Sequence, residues 1–220
     1  MTDLLDDLVD TSRPPRRRWR FGVVGIVLVL LGIAALGWVG WQFLGSGVWA
    51  KQQYSSQIRE LQTTWENAPT AEPTAGQAYA ILRVPTFGDN YAVPVIHGVD
   101  TGSLGKGVGA YPSSVRPGEV GNLALAGYRT THGAPFGKLL DLNAGDEIVI
   151  ETGEAVYVYV VDVPAREVTV DQAAAWVLDP VPGTADEPTQ PTLTLTTSQD
   201  LVHSADRSVA FAHLGSTRNK

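Results

Sequence analysis

Four imidazoles are the neutral-pH bases of this 220-residue chain: His97, His132, His203 and His213. No two of them stand at a ligand spacing, so no metal site is expected. Asp141, Asp146 and Glu147 gather carboxylates in one stretch, but without the D-x-D-x-D-G order of a calcium loop they read as a solvated turn. Cysteine is absent. That excludes disulfides, thiolate-bound zinc, iron–sulfur clusters and a cysteine nucleophile. A serine hydroxyl is a far weaker acid than a thiol and attacks only with an adjacent general base. Sixteen Lys and Arg against 23 Asp and Glu give a net charge of −7, which argues against nucleic acid as a partner. No cofactor is expected.

The elements that must position such groups divide the chain into zones. Residues 1–20 hold Asp3, Asp6, Asp7 and Asp10, then Arg13, Arg16, Arg17, Arg18 and Arg20; from Phe21 to Ala50 there is no charged residue. The core of that run, Phe21 to Leu44, would be about 36 Å long as a helix, enough to cross a hydrocarbon core of roughly 30 Å with some tilt. Trp19 lies at one end and Trp38, Trp41 and Trp49 near the other, where amphipathic rings favour the headgroup region. A cleaved signal peptide normally has a shorter apolar stretch and a small-residue exit. The run therefore reads as a retained single-pass signal anchor in the cell membrane. Arginines precede the span while only Lys51 and Arg59 lie near its far side, so residues 1–20 are expected in the cytoplasm and everything after about residue 50 outside the cell. Residues 45–77 read as a stalk or linker. In it, 51–66 can form a short helix through Tyr54, Ile58, Leu61 and Trp65, and Pro69 and Pro73 interrupt small polar residues beyond it.

Residues 78–220 carry nine basic and 16 acidic side chains, so the whole net charge belongs to the outer domain. Short β-branched and aromatic runs alternate there with Gly, Pro, Asn and Asp turns: AILRV, YAVPVIHG, GNLALAGY, DEIVIET, AVYVYVVDV, TLTLTT and SVAFAHL. Leu193 and Leu195 are expected on one face, with Thr192, Thr194 and Thr196 on the other. Short helical pieces are expected near Leu139–Leu142 and Asp171–Trp176. Many short antiparallel strands without a βαβ rhythm predict an all-β fold, a closed or nearly closed barrel.

The stretches GVGAYPSSVRPGEVGNLALAGYRTTHGAPFGKLLDLNAGDEIVIET, TLTLTTS and DRSVAFAHL resemble a sortase, most like the class E group of Gram-positive actinobacteria, over about residues 79–214. The resemblance implies an eight-stranded closed β-barrel with short helices, preceded by one transmembrane helix. It implies a membrane-bound cysteine transpeptidase that cuts a C-terminal sorting signal after Thr and joins it to a cell-wall amine. Class E members are similar to this chain in their G-x-Y-P stretch and favour Ala over Pro in the second signal position, so the implied partner is an LAxTG- or LPxTG-like peptide.

By that resemblance, the family's catalytic histidine falls on Tyr128 in Ala126-Gly127-Tyr128-Arg129, its cysteine on Ser198 in Thr194-Leu195-Thr196-Thr197-Ser198, and its arginine on Arg207. Arg207 alone keeps the family's residue. Phenols ionise only near pH 10, so a tyrosine is a poor base or leaving-group acid at neutral pH, while an arginine can still hold a carbonyl or an oxyanion. The chain thus reads as a non-catalytic sortase homologue that binds a sorting signal or partners an active sortase or pilin-like protein. The alternative is a transpeptidase or hydrolase using Ser198. Active relatives often read G-H-R-T-T-Y-G where this chain has Gly127-Tyr128-Arg129-Thr130-Thr131-His132-Gly133. Tyr and His stand exchanged, which makes His132 the alternative base. Against it, four residues of extended chain span about 13 Å. Tyr111 and Thr197 are the candidate peptide contacts.

Overall fold

Short runs of buried, mostly apolar residues drive the architecture. Strand β1 (Ala78–Arg83), β2 (Val93–His97), β4 (Gly121–Ala126), β5 (Glu147–Glu151), β6 (Ala155–Val163), β8 (Pro191–Ser198) and β9 (Asp206–Asn219) fall on the seven expected runs. The computed structural model describes residues 17–69, 74–198 and 205–220, and omits the side chains of 17–23, 36 and 38–49. His203 and most of the expected 1–20 tail lie outside these residues.

The strands close in the order β6-β5-β1-β2-β3-β4-β8-β9, and β6 pairs with β9 from Ala155↔Asn219 to Val163↔Phe211. This is the expected eight-stranded closed barrel. Two strands escaped the sequence reading: β3 (Val108–Ala110), the eighth barrel strand, and β7 (Thr169–Asp171), which adds to the start of β9 outside the closed ring. Two ladders also differ from the antiparallel expectation. β2 pairs with β3 in parallel, and β4 with β8 from Gly121↔Pro191 to Ala126↔Thr196. Parallel neighbours need a crossover connection; helix α2 (Thr101–Leu104), capped by the Asp100 carboxylate, supplies the first. The piece expected at Leu139–Leu142 is a 3-10 turn, Leu139–Asp141. The one expected at Asp171–Trp176 lies later, at Ala175–Leu178, because residues 169–171 extend to pair with β9.

The barrel is filled by residues such as Leu82, Val95, Leu125, Phe136, Ile150 and Leu195. Leu193 and Leu195 point inward as expected, but Thr194 and Thr196 on the opposite face are also buried, at 0% and 6% exposure. The segment following β7 is tied to Thr194 through Asn122. Asn122 anchors it, donating Nδ2 to the carbonyls of Val177 and Asp179, while Thr194 donates its hydroxyl to Asn122 Oδ1.

The chain divides into two units between Phe43 and Leu44. Helix α1 (Arg17–Asn67) runs far beyond the short helix expected at 51–66. Its residues Val24 and Ile26 to Leu31 are apolar and exposed at 49–62%. Among the described residues, no helix is long and apolar enough to cross a membrane. In the second unit, Ala50, Tyr54 and Leu61 are buried, and Ala50 and Tyr54 belong to the same core cluster as the barrel interior. The helical part of the expected stalk is therefore a docked element, because its apolar face has a barrel surface to bury against.

Candidate active site

The parallel β4–β8 ladder brings two sequence-distant segments to one rim of the barrel. Ala126 and Thr196 are register partners, so the residues that follow them leave side by side. Gly127 N–H donates to the Thr196 carbonyl at 3.2 Å, and Thr197 Oγ1 donates to the Gly127 carbonyl at 2.8 Å. Strand β9 starts at the same rim, with Ser198 and Arg207 directly opposite each other in the β8–β9 ladder. Opposite residues of an antiparallel pair share a face. Ser198 and Arg207 therefore present their side chains together, with Tyr128 beside them on the continuation of β4.

Thr197 takes a different part from the expected peptide contact. It is 2% exposed and its hydroxyl is spent on Gly127, so it fixes the backbone that carries Ser198. Desolvation raises the Tyr111 phenol, and the positive charge of Arg207 opposes that rise.

The loop after Tyr128 folds back on itself. Phe136 N–H donates to the Tyr128 carbonyl at 3.0 Å and Ala134 N–H to that of Thr131 at 2.8 Å. His132, Gly133 and Ala134 have φ of 51°, 80° and 49°. Positive φ is uncommon for residues with a Cβ. This brings His132 back onto Tyr128: its ring stacks there with centroids 4.5 Å apart and planes 19° from parallel. Its Nδ1 lies 3.0 Å from Thr131 Oγ1, and the residue is exposed.

Arg129 was not singled out in the sequence. Its Nη1 lies 3.5 Å from the Ser198 carbonyl, and its Nε is buried with no hydrogen-bond partner among the described residues. The rim thus holds two guanidinium groups near one serine. Its place directly after Tyr128 was the available signal. The other described histidines lie elsewhere: His97 meets Tyr79 edge-on, and His213 pairs with Asp162 at 2.7 Å. Among the described residues, no group of three or more His, Asp or Glu could hold a metal ion.

A closed barrel with a rim site fed by β4, β8 and β9 defines a class that comparison identifies. The sortase domain model matches residues 82–215. Sortase SrtE1 from Streptomyces coelicolor is 32% identical over 170 residues, which cover 72% of this chain and 47% of that protein. The chain therefore matches about half the length of that relative. The structure of sortase E from Streptomyces avermitilis is 35% identical, covers 66% of this chain and 93% of its own, and superposes with a TM-score of 0.60. Sortase E1 from S. coelicolor with a tripeptide in the active site is 29% identical, covers 67% of this chain and 94% of its own, and has a TM-score of 0.57. The chain belongs to the sortase family, and these relatives are class E sortases.

Proposed function

We propose that this chain is a membrane-anchored, class E-like sortase homologue that binds a cell-wall sorting signal without cleaving it, alone or beside an active sortase or pilin-like protein. One observation carries the reading. The rim that joins Ser198 and Arg207 has no thiol, since the chain has no cysteine, and His132, the imidazole that the described residues bring to Tyr128, lies flat on that phenol. The groups that hold a peptide carbonyl remain while those that attack it are missing, and charge stabilisation without an attacking group does not cleave a peptide. The tripeptide seated in the active site of sortase E1 supports a peptide as the ligand.

The 220-residue chain in detergent should bind LAxTG or LPxTG peptide and release no product above the no-enzyme control by mass spectrometry. The second reading, hydrolysis by Ser198 with His132, draws on the back-folded loop that keeps His132 at the rim. Turnover lost in both Ser198→Ala and His132→Ala, but kept in His203→Ala, would establish it and sink the first.

The anchor is supported by the uncharged run from Phe21 to Ala50 behind five arginines. A helix apolar on successive residues through more than a full turn, as at Ile26–Leu31, has no face suited to water. Protease added to right-side-out vesicles should digest the barrel and leave the N-terminus protected. Release of the intact barrel without protease would show cleavage of the run instead.

A further inference from the structure

We infer that Tyr54, on the helix leading into the barrel, is a positioning residue for the candidate site, holding the loop that places His132 on Tyr128. The Tyr54 hydroxyl donates to the His132 carbonyl across 78 residues of sequence. One turn earlier on the helix, Ala50 meets the next residue of the loop: a Cβ built on Gly133 would lie 2.5 Å from Ala50 Cβ and 3.2 Å from Tyr54 Oη. From another element, the Tyr91 hydroxyl donates to the Pro135 carbonyl.

Two residues with a Cβ, His132 and Ala134, sit at positive φ between these clamps. Such backbone persists when surrounding contacts over-determine it. Burial pushes the Tyr54 phenol up to about 12, so the donor keeps its proton throughout the neutral range. The helix is consequently part of the site's scaffold: its docking and the shape of the 128–137 loop are one arrangement, and anything that lifts Ala50 and Tyr54 frees the loop.

The inference rests on reading residues 128–132 and 198 as the site, and its test separates the two. In the full chain in nanodiscs, Tyr54→Phe should speed hydrogen exchange about tenfold at Ala134, Phe136 and Gly137, whose amides donate within the loop. That corresponds to loss of one buried hydrogen bond. Exchange along β4 and β8 should stay unchanged. The His132 ring protons, shifted by the Tyr128 ring current, should move toward free-imidazole positions, and affinity for an LAxTG peptide should fall several-fold.

Tyr159→Phe is the control. It removes the hydroxyl that accepts from Gly118 N–H and should lower stability without moving the His132 resonances. Ala50→Val crowds Gly133 with the Tyr54 hydroxyl intact, and should free the same three amides; it decides the matter if Tyr54→Phe does not fold. Unchanged loop exchange and unchanged His132 resonances in the variant that folds would overturn the inference. If the unmodified chain binds no peptide, the functional reading fails, while exchange and resonances still decide the role of Tyr54.

Discussion

Ser198→Cys combined with Tyr128→His should give a barrel that cleaves a sorting-signal peptide well above the unmodified chain. Cysteine starts with a pKa near 8.5 and supplies a thiolate that serine cannot. It would replace a residue already facing Arg207 across the ladder. Histidine at 128 would supply the leaving-group acid from the strand continuation beside it. A positioned acid or base contributes typically 10²–10⁴-fold, and groups acting as a unit are not additive. Each single variant should therefore give far less than the pair. Arg207→Ala in the paired background should cost on the order of 10²–10³ in rate by removing the charge that meets the oxyanion.

The stacked loop adds a further expectation. With His at 128, a second imidazole at 132 would lie against it at the present 4.5 Å ring separation and compete for the same proton. Adding His132→Tyr restores an imidazole–phenol stack with the roles exchanged, so this triple variant should match or exceed the double one. Product formation by mass spectrometry with LAxTG and LPxTG peptides measures all of these. A double variant that binds peptide but stays inert would show that the rim holds its ligand out of reach of residue 198.

Strand alternation made most of the barrel legible. The inward face of Leu193 and Leu195 and the β-branched run of β6 follow from a period of two. β3 did not, because its three residues Val108-Gly109-Ala110 are shorter than any alternation can reveal. β7 is equally short. Alternation set the threonines of β8 opposite Leu193 and Leu195 but gave no sign that Thr194 and Thr196 are buried too, and the Asn122–Thr194 hydrogen bond shows part of what covers them. At the candidate site, the resemblance pointed to Ser198, Tyr128 and Arg207, and the structure sets Ser198 opposite Arg207. The return of His132 to Tyr128 was hidden, because positive φ at His132 and Ala134 is not written in residue type. Nothing local marks Tyr54 as a partner of a loop 78 residues away.

Phe136→Ala should be the most destabilising single truncation near the site, by about 3–5 kcal/mol. Phe136 is fully buried in the barrel core, and its amide ties the loop to the Tyr128 carbonyl. Its ring also explains Gly127, whose φ lies outside the left-handed region and whose need is space: a Cβ there would lie 2.7 Å from the Phe136 ring. Removing the ring leaves a cavity directly under the backbone that carries Tyr128. At about 2–4 °C per kcal/mol for a domain of this size, the full chain in detergent should lose about 6–20 °C in Tm, followed by near-ultraviolet circular dichroism. Gly127→Ala alone should also destabilise, by overpacking. In the Phe136→Ala background the same methyl enters vacated space, so the double variant should lose less than the two single losses added together, a coupling expected only for residues in contact. Strict additivity would mean that Gly127 and Phe136 do not pack against each other, and the account of how the core fixes the rim would fail with it.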